Sequence, residues 1–287
     1  MAGNAGPVIA ICVALVAIWY VGAFALNSPF QRDLDRRAEV TRSTADFVLA
    51  SLNQPKATLP APHQVAVDFF NTTFLAKPWT NASLIYHGWV TLASTMLGFL
   101  MGTVLGILIA VAIVHSRSLD RSLMPWVISS QTIPILAVAP MVIVVLASIG
   151  VTGIFPKAII STYLSFFPVT VGMVKGLRSP EPIHLDLMRT YSAGARQILW
   201  KLRVPASVPF LFASMKVAVA ISLVGAIVGE LPTGAVAGIG SRLLIGSYYS
   251  QTIQLWSALV MASIMAALLV GAVGLLDRLT RRAMGAR

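Results

Sequence analysis

Acidic side chains are scarce in this chain: ten Asp and Glu among 287 residues, beside one cysteine and four histidines. Cys12 therefore has no intrachain disulfide partner, and within an apolar run a thiol behaves as a small apolar side chain. His63, His87, His115 and His184 are too scattered to form a metal site. No cluster of His, Asp, Glu or Ser/Lys has catalytic spacing, so the sequence offers no catalytic residue, no metal ligand set and no cofactor site. A G-x-x-x-x-G-K-[ST] phosphate loop is also missing, which excludes ATP binding of that kind on this chain. No internal repeat or low-complexity tract stands out.

Apolar residues are what the chain has in plenty. At 57% hydrophobic and 11% charged, with mean hydropathy +0.81, it is far more apolar than an ordinary soluble protein. A helix needs roughly 20 apolar residues to cross the hydrocarbon core. Six runs qualify, near 7–26, 88–114, 123–148, 154–176, 212–231 and 254–276. Pro125, Pro134, Pro140, Pro156 and Pro168 fall in the third and fourth, where they kink or punctuate helices. A membrane β-barrel would show short alternating segments instead. The expected fold class is an all-α polytopic membrane protein with about six transmembrane helices.

The net charge of +11 is distributed as a topology signal and not as a nucleic-acid footprint. Arg117 and Arg121 follow the second run. Arg178, Arg189, Arg196, Lys201 and Arg203 follow the fourth, and Arg278, Arg281, Arg282 and Arg287 follow the sixth. All three regions fall on one side, expected to be cytoplasmic together with both termini, while the opposite short loops offer little beyond Lys157 and Arg242. The expected organisation is a first transmembrane helix over 1–26 and an external segment and linker over 27–86. A transmembrane core over 87–276 then contains a cytoplasmic loop over 178–211, and a basic cytoplasmic tail follows over 277–287.

Ala23-Phe24-Ala25 matches an A-x-A cleavage pattern, but no Lys or Arg precedes the apolar run and its length suits a span, so a retained helix is expected. Beyond it, Leu34, Ala38, Ala45, Val48, Leu49 and Leu52 recur at helical spacing among charged neighbours, predicting an amphipathic surface helix. TLPAPH at 58–63 reads as an extended linker, followed by Val65, Phe69 and Phe70 along an outer face that serves packing.

Gly98, Gly102 and Gly106 form two overlapping GxxxG patterns on one face of the second run. Missing side chains let another helix approach closely, so this face packs against a helix of the same chain or of a second copy.

Between Asp186 and Pro205 a polar, basic stretch, DLMRTYSAGARQILWKLRVP, is wedged between two apolar runs. Pro180 and Pro182 end the preceding helix. Residues 183–191 suit a short helix, Ser192-Ala193-Gly194 a small-residue turn, and 195–203 a second short helix punctuated by Pro205 and Pro209. On its chemistry alone this is either a docking element for a cytoplasmic partner or a basic interfacial helix on lipid headgroups.

The stretch resembles the EAA loop of inner-membrane permease subunits from binding-protein-dependent ABC importers. That pattern is E-A-A, three residues, G, nine residues and I-x-L-P. Asp186-Leu187-Met188, Ser192, Leu202, Val204 and Pro205 keep its spacing, with only the proline identical and Ser192 in the place of the turn glycine. LPAP at 59–62, HGWVTL at 87–92, QTIPILAVAP at 131–140, FFP at 166–168, VPASVP at 204–209 and GELPTGAVAGIG at 229–240 extend the resemblance. They point to the branch that imports nitrate, sulfonates, taurine and pyrimidine or riboflavin precursors, with the loop most similar to the pyrimidine-precursor group.

That resemblance implies a type I importer permease in the bacterial inner membrane. ATP and Mg would be handled by two partner ATPase subunits, and an external binding protein would deliver a small polar solute. A second permease copy is expected, a homodimer being simpler than a related heterodimer. Leu187, Met188, Ala193 and Leu202 would pack into a groove of the ATPase, Asp186 and Arg189 would fix register, and Gly194 would follow the turn. A pyrimidine precursor related to thiamine or riboflavin is the expected solute, with sulfonate, taurine or nitrate as alternatives. A stand-alone secondary carrier is the rival class, though neither paired halves nor several buried charges are evident.

Few residues suggest a solute pathway. Glu230, in VGELP, is either a functional intramembrane acid or a cap for backbone groups beside Pro232. Ser129, Ser130, Gln131 and Thr132 precede Pro134, where they either line a pathway or bond to neighbouring helices. Tyr248, Tyr249 and Trp256 suit a membrane-interface belt.

Overall fold

A computed structural model describes residues 5–232 and 237–285 of the chain. Among them twelve α-helices carry the fold. Five helices are long and apolar enough to cross a membrane, or six spans if one bent pair counts as a crossing. The chain divides into two compact units, Met1–His87 with Ser241–Ala262, and Gly88–Gly240 with Ser263–Arg287.

In the first unit, α1 (Ala5–Arg37) runs well past the expected end at residue 26. The single amphipathic helix expected after it is two pieces, because α1 stops in a left-handed turn. Glu39 has φ 53°, and the Val40 and Glu39 amides bond back to the Asp35 and Arg36 carbonyls. The second piece, α2 (Thr44–Leu52), starts where the Ser43 hydroxyl accepts the Asp46 amide at 3.2 Å. The linker after α2 lies on α1. Asn27, with no exposed surface, donates to the Leu59 carbonyl at 2.8 Å and accepts the Thr58 amide at 2.9 Å. Pro62, suited to a first helical turn, then opens α3 (Pro62–Phe70), which ends in one π-helical turn over Asn71–Leu75. The unit also holds α11 (Ile239–Tyr248) from Ser241 and the first turns of α12 (Thr252–Ala283), to Ala262.

The second unit is built on α4 (Leu84–His115) from Gly88, α7 (Ile154–Leu177) and α10 (Val204–Glu230). Small residues let the three backbones approach. A methyl group on Gly98 or Gly102 would collide with Ser161 or Ser165 of α7, and one on Gly106 would lie 2.8 Å from the Phe166 carbonyl oxygen. The glycine face of α4 therefore meets a helix of the same chain. Between α7 and α10, a methyl group on Gly225 would lie 2.8 Å from the Ser161 Cα, and one on Gly176 would collide with Ser207. Hydroxyls fill the contact: Ser161 bonds to the Ser222 carbonyl, and Ser222 donates to the Thr95 carbonyl at 3.0 Å. Apolar layers continue above and below, one of Phe99, Val169, Ala218, Val219 and Val273, another of Ala110, Ile113, Met173, Val174 and Leu177.

The third apolar run departs from the expected single span over 123–148. It is two helices, α5 (Arg117–Ser130) and α6 (Ile135–Ser148), meeting at 100°. Pro134 causes the break, since it lacks an amide hydrogen and keeps its predecessor out of helical geometry. Near the break the Ser130 and Thr132 hydroxyls donate to the carbonyls of Val127 and Ser129 at 2.7 and 2.8 Å. Pro125 stays inside α5 without interrupting it.

Candidate functional site

The polar stretch after α7 folds as α8 (Pro182–Thr190), a tight turn, and α9 (Ala195–Ile198). The turn is decided at Ser192. Its φ is +53°, the left-handed geometry a glycine adopts freely, and it closes α8 with paired backbone bonds. The Ala193 amide reaches the Met188 carbonyl at 2.9 Å, and the Ser192 amide reaches the Arg189 carbonyl at 2.8 Å. Gly194 then precedes α9, its amide held at 3.1 Å by the Gln197 side chain.

The expected break between 195–203 and the next span does not occur. One π-helical turn over Leu199–Arg203 carries the helix straight into α10, giving a continuous helix from Ala195 to Glu230. The wider turn is what lets Pro205 sit inside a helix, because the Val204 amide bonds back to Leu199 and the ladder shifts around the proline ring. Leu199 and Val204 anchor this end on the layer around Ile113 and Leu177. Arg178, capping α7, pairs with Asp120 of α5 at 2.8 Å and fixes the start of the loop.

No residue of α8 or α9 is buried. Asp186 and Arg189 pair with each other at 3.0 Å on the exposed surface. Leu187 is 52% exposed, and Met188, Ala193, Leu202 and Val204 are half-buried. Ile183 and Tyr191, 69% and 78% exposed, stand one turn either side of Leu187 and complete an apolar ridge. Sequence reasoning does not single out either as a docking residue, although their spacing of four from Leu187 is the signal.

A second constellation lies at the far end of α10. Glu230 has no exposed surface. Its carboxylate accepts the Thr91 hydroxyl, 2.9 and 3.0 Å from its two oxygens, and the Gly240 amide at 2.8 Å; Lys157 of α7 stands 4.0 Å away. Thr91 in turn accepts the Ile239 amide at 2.8 Å. Gly238 has φ +131°, and a methyl group there would overlap the carboxylate. Glu230 thus caps backbone amides at 239–240, through Thr91 and directly. The GELPTGAVAGIG wording at 229–240 partly falls on residues 233–236, which lie outside the described residues.

Ser129, Gln131 and Thr132 sit at the α5–α6 break, apart from that cage. Gln131 bonds to the Ser130 hydroxyl at 3.3 Å, Thr132 to the Ser129 carbonyl, and the Tyr163 hydroxyl of α7 to the Ser130 carbonyl. Gln131 and Thr132 are exposed, and Asp120, Arg121, Met124, Ile128 and Ser129 line an open concavity along α5. One further charged group escapes sequence reasoning: Asp277 of α12 is buried and bonds to Lys216 of α10 at 2.7 Å and to Arg281 at 2.6 Å. It marks α12 continuing as helix to Ala283, where a tail was expected from 277.

Comparison with known proteins places these features in a family. Residues 102–285, well over half the chain, match the binding-protein-dependent transport system inner membrane component. A probable ABC transporter permease protein of Haemophilus influenzae is 30% identical over 207 residues, covering 72% of this chain and 79% of that one. The formylaminopyrimidine transport permease ThiX of Halalkalibacterium halodurans is 31% identical over 63% of this chain and 68% of its own. The riboflavin transport system permease RibX of Chloroflexus aurantiacus is 27% identical over 79% and 81%. A helical chain with five or six spans and an exposed two-helix loop between α7 and α10 thus belongs to the binding-protein-dependent inner membrane components, as a non-catalytic permease subunit of an ABC importer.

Proposed function

We propose that this permease imports a pyrimidine-type precursor related to thiamine or riboflavin, handed over by an external binding protein. The observation that carries the coupling part is the Ser192 turn, which leaves the apolar ridge of α8 exposed while α10 continues directly from α9. Two copies of the chain form the pathway, and each loop docks in a groove on one of two ATPases that bind ATP and Mg. Ile183, Leu187, Met188, Tyr191, Ala193 and Leu202 pack there, and the Asp186–Arg189 pair sets register. Both termini are cytoplasmic, in keeping with the basic residues after His115, Leu177 and Asp277.

In this reading Ser129, Gln131 and Thr132 offer hydrogen bonds to solute where the α5–α6 break opens the backbone. Glu230 serves instead as an anchor for the outer turn, which its complete burial and its contacts with Thr91, Gly240 and Lys157 support. The solute class is supported by the loop wording and by relatives named for formylaminopyrimidine and riboflavin.

The test is purification of the permease from native membranes with its partners, followed by ligand screening of the co-purified binding protein. A formylated aminopyrimidine or riboflavin that binds and stimulates ATP hydrolysis supports the reading. Selective response to taurine or nitrate moves the chain to another solute. Uptake driven by an ion gradient without any ATPase overturns it.

A further inference from the structure

Helix α3 and its π-helical turn are amphipathic in the reverse sense to a helix on a water-facing surface. Val67, Phe70, Phe74 and Leu75 are 58%, 54%, 66% and 69% exposed, and Asn71 is the polar residue among them. Polar groups point the other way. One carboxylate oxygen of Asp68 and the Thr73 hydroxyl are buried, and the Thr72 hydroxyl folds back on the Asp68 carbonyl at 2.6 Å. Burial pushes the Arg242 guanidinium of α11 down from its ordinary range, and the nearby Asp68 carboxylate pulls it back up. A helix on water would turn Asp68, Thr72 and Thr73 outward and hide the two phenylalanines.

The position of α3 explains the inversion. The Ser257 hydroxyl of α12 donates to the Val65 carbonyl at 3.4 Å, and Thr252 opens α12 beside the linker that feeds α3. Ser257 is five residues into α12, about 7.5 Å along its axis from Thr252. Trp256, one residue before it, packs on Trp19 of α1 at 4.9 Å, and the Trp19 indole donates to the Pro60 carbonyl at 3.0 Å. So α3 lies beside the first turns of one helix long and apolar enough to span, and is tied through its linker to another. Trp79, Tyr248 and Tyr249 of the same unit are 65%, 77% and 68% exposed, and Trp and Tyr are the residue types that gather at membrane–water boundaries. In the same unit α1 likewise presents an apolar surface through Val13, Val16 and Val21.

We propose that α3 and its π turn are an interfacial anchor, with the Val67–Phe70–Phe74 stripe seated among the acyl chains of the bilayer surface. That the leaflet is the outer one rests on the orientation proposed above; insertion itself does not. A lipid surface fits better than a second copy or a binding protein because the unit that carries the stripe also carries the belt residues that mark a bilayer boundary.

The experiment uses full-length protein in lipid nanodiscs with Cys12→Ser, and Phe70→Cys or Phe74→Cys carrying an environment-sensitive fluorophore. Asp46→Cys, on the exposed first turn of α2, serves as the water-facing control. Expected is loss of fluorescence at 70 and 74 with lipids bearing a shallow nitroxide and little loss with aqueous iodide, the reverse holding at 46. Iodide quenching at 70 and 74 overturns the anchor in favour of a water-facing surface. Protection from both quenchers, with crosslinks between two copies through 70 or 74, overturns it in favour of a subunit interface. Because the readout is depth in the bilayer, its failure leaves the solute reading untouched.

Discussion

The Thr91 hydroxyl touches both carboxylate oxygens of Glu230, at 2.9 and 3.0 Å, across 139 residues of sequence. That bond joins α4 to α10, and through Gly240 and Ile239 it fixes the start of α11. A buried carboxylate stripped of a donor pays the full cost of its lost solvation. Thr91→Val should therefore lower stability by about 1–3 kcal/mol, seen as a reduced unfolding temperature in detergent. Gly238→Ala should act at least as strongly, since its methyl group meets the carboxylate in a φ +131° backbone. Unchanged melting of both variants would remove the cage from the account of the fold.

Ser192 holds φ +53° at a cost a glycine avoids. Ser192→Gly should keep transport and ATPase binding intact, whereas a β-branched Ser192→Val should strain the turn by about 1–3 kcal/mol. Co-purification of the ATPase is the measurement. Equal recovery with both variants would show that the turn geometry does not govern docking.

The Leu187 ridge predicts a charge-independent loss. Leu187→Ser combined with Ile183→Ser should abolish substrate-stimulated ATP hydrolysis while the protein remains inserted, because both residues lie on an exposed face of α8. Arg189→Glu, which turns the pair with Asp186 repulsive, should weaken coupling more at low salt than at high salt. Wild-type rates in the double serine variant would sink the docking assignment.

Gly102 and Gly271 form a matched pair of probes. A side chain at Gly102 drives into Ser165, while one at Gly271 meets nothing within 4 Å. Gly102→Leu should eliminate the monodisperse peak in size-exclusion chromatography, and Gly271→Leu should leave it intact. Similar profiles would mean that α4 and α7 are not in tight contact.

The Lys216–Asp277 pair should show coupling. Asp277 is 8% exposed at its side chain and Lys216 is 35% exposed, so Lys216→Met strands a carboxylate that keeps only Arg281. A loss of about 1–3 kcal/mol is expected, below that of a wholly buried pair. Lys216→Met with Asp277→Leu should recover part of it in a double-mutant cycle. Strictly additive losses would mean that the contact contributes no coupling.

Local patterns in the sequence carried much of this architecture. Apolar run lengths give the spans, and the positions of Gly98, Gly102 and Gly106 give a close-approach face. The spacing from Asp186 to Pro205 gives the two-helix loop. What they omit is pairing over distance: nothing near Glu230 names Thr91, and nothing near Asp277 names Lys216, because such partners are chosen by packing. Pro134 announces a break but not its 100° angle, which depends on what α6 packs against through Ala139, Ile160 and Val228. The left-handed Ser192 is equally hidden, since serine has no intrinsic preference for that geometry and the surrounding turn imposes it.

The uninterrupted helix from Ala195 to Glu230 has a mechanical meaning. Its 36 residues make a rod about 54 Å long, with the exposed α8–α9 loop at one end and the Glu230 cage at the other. If it pivots near its midpoint, a tilt of about 5° carries each tip roughly 2 Å in opposite directions. Such a seesaw needs no relay of side-chain rearrangements: a push at Ala195 and a swing at Glu230 are one motion of a single lever.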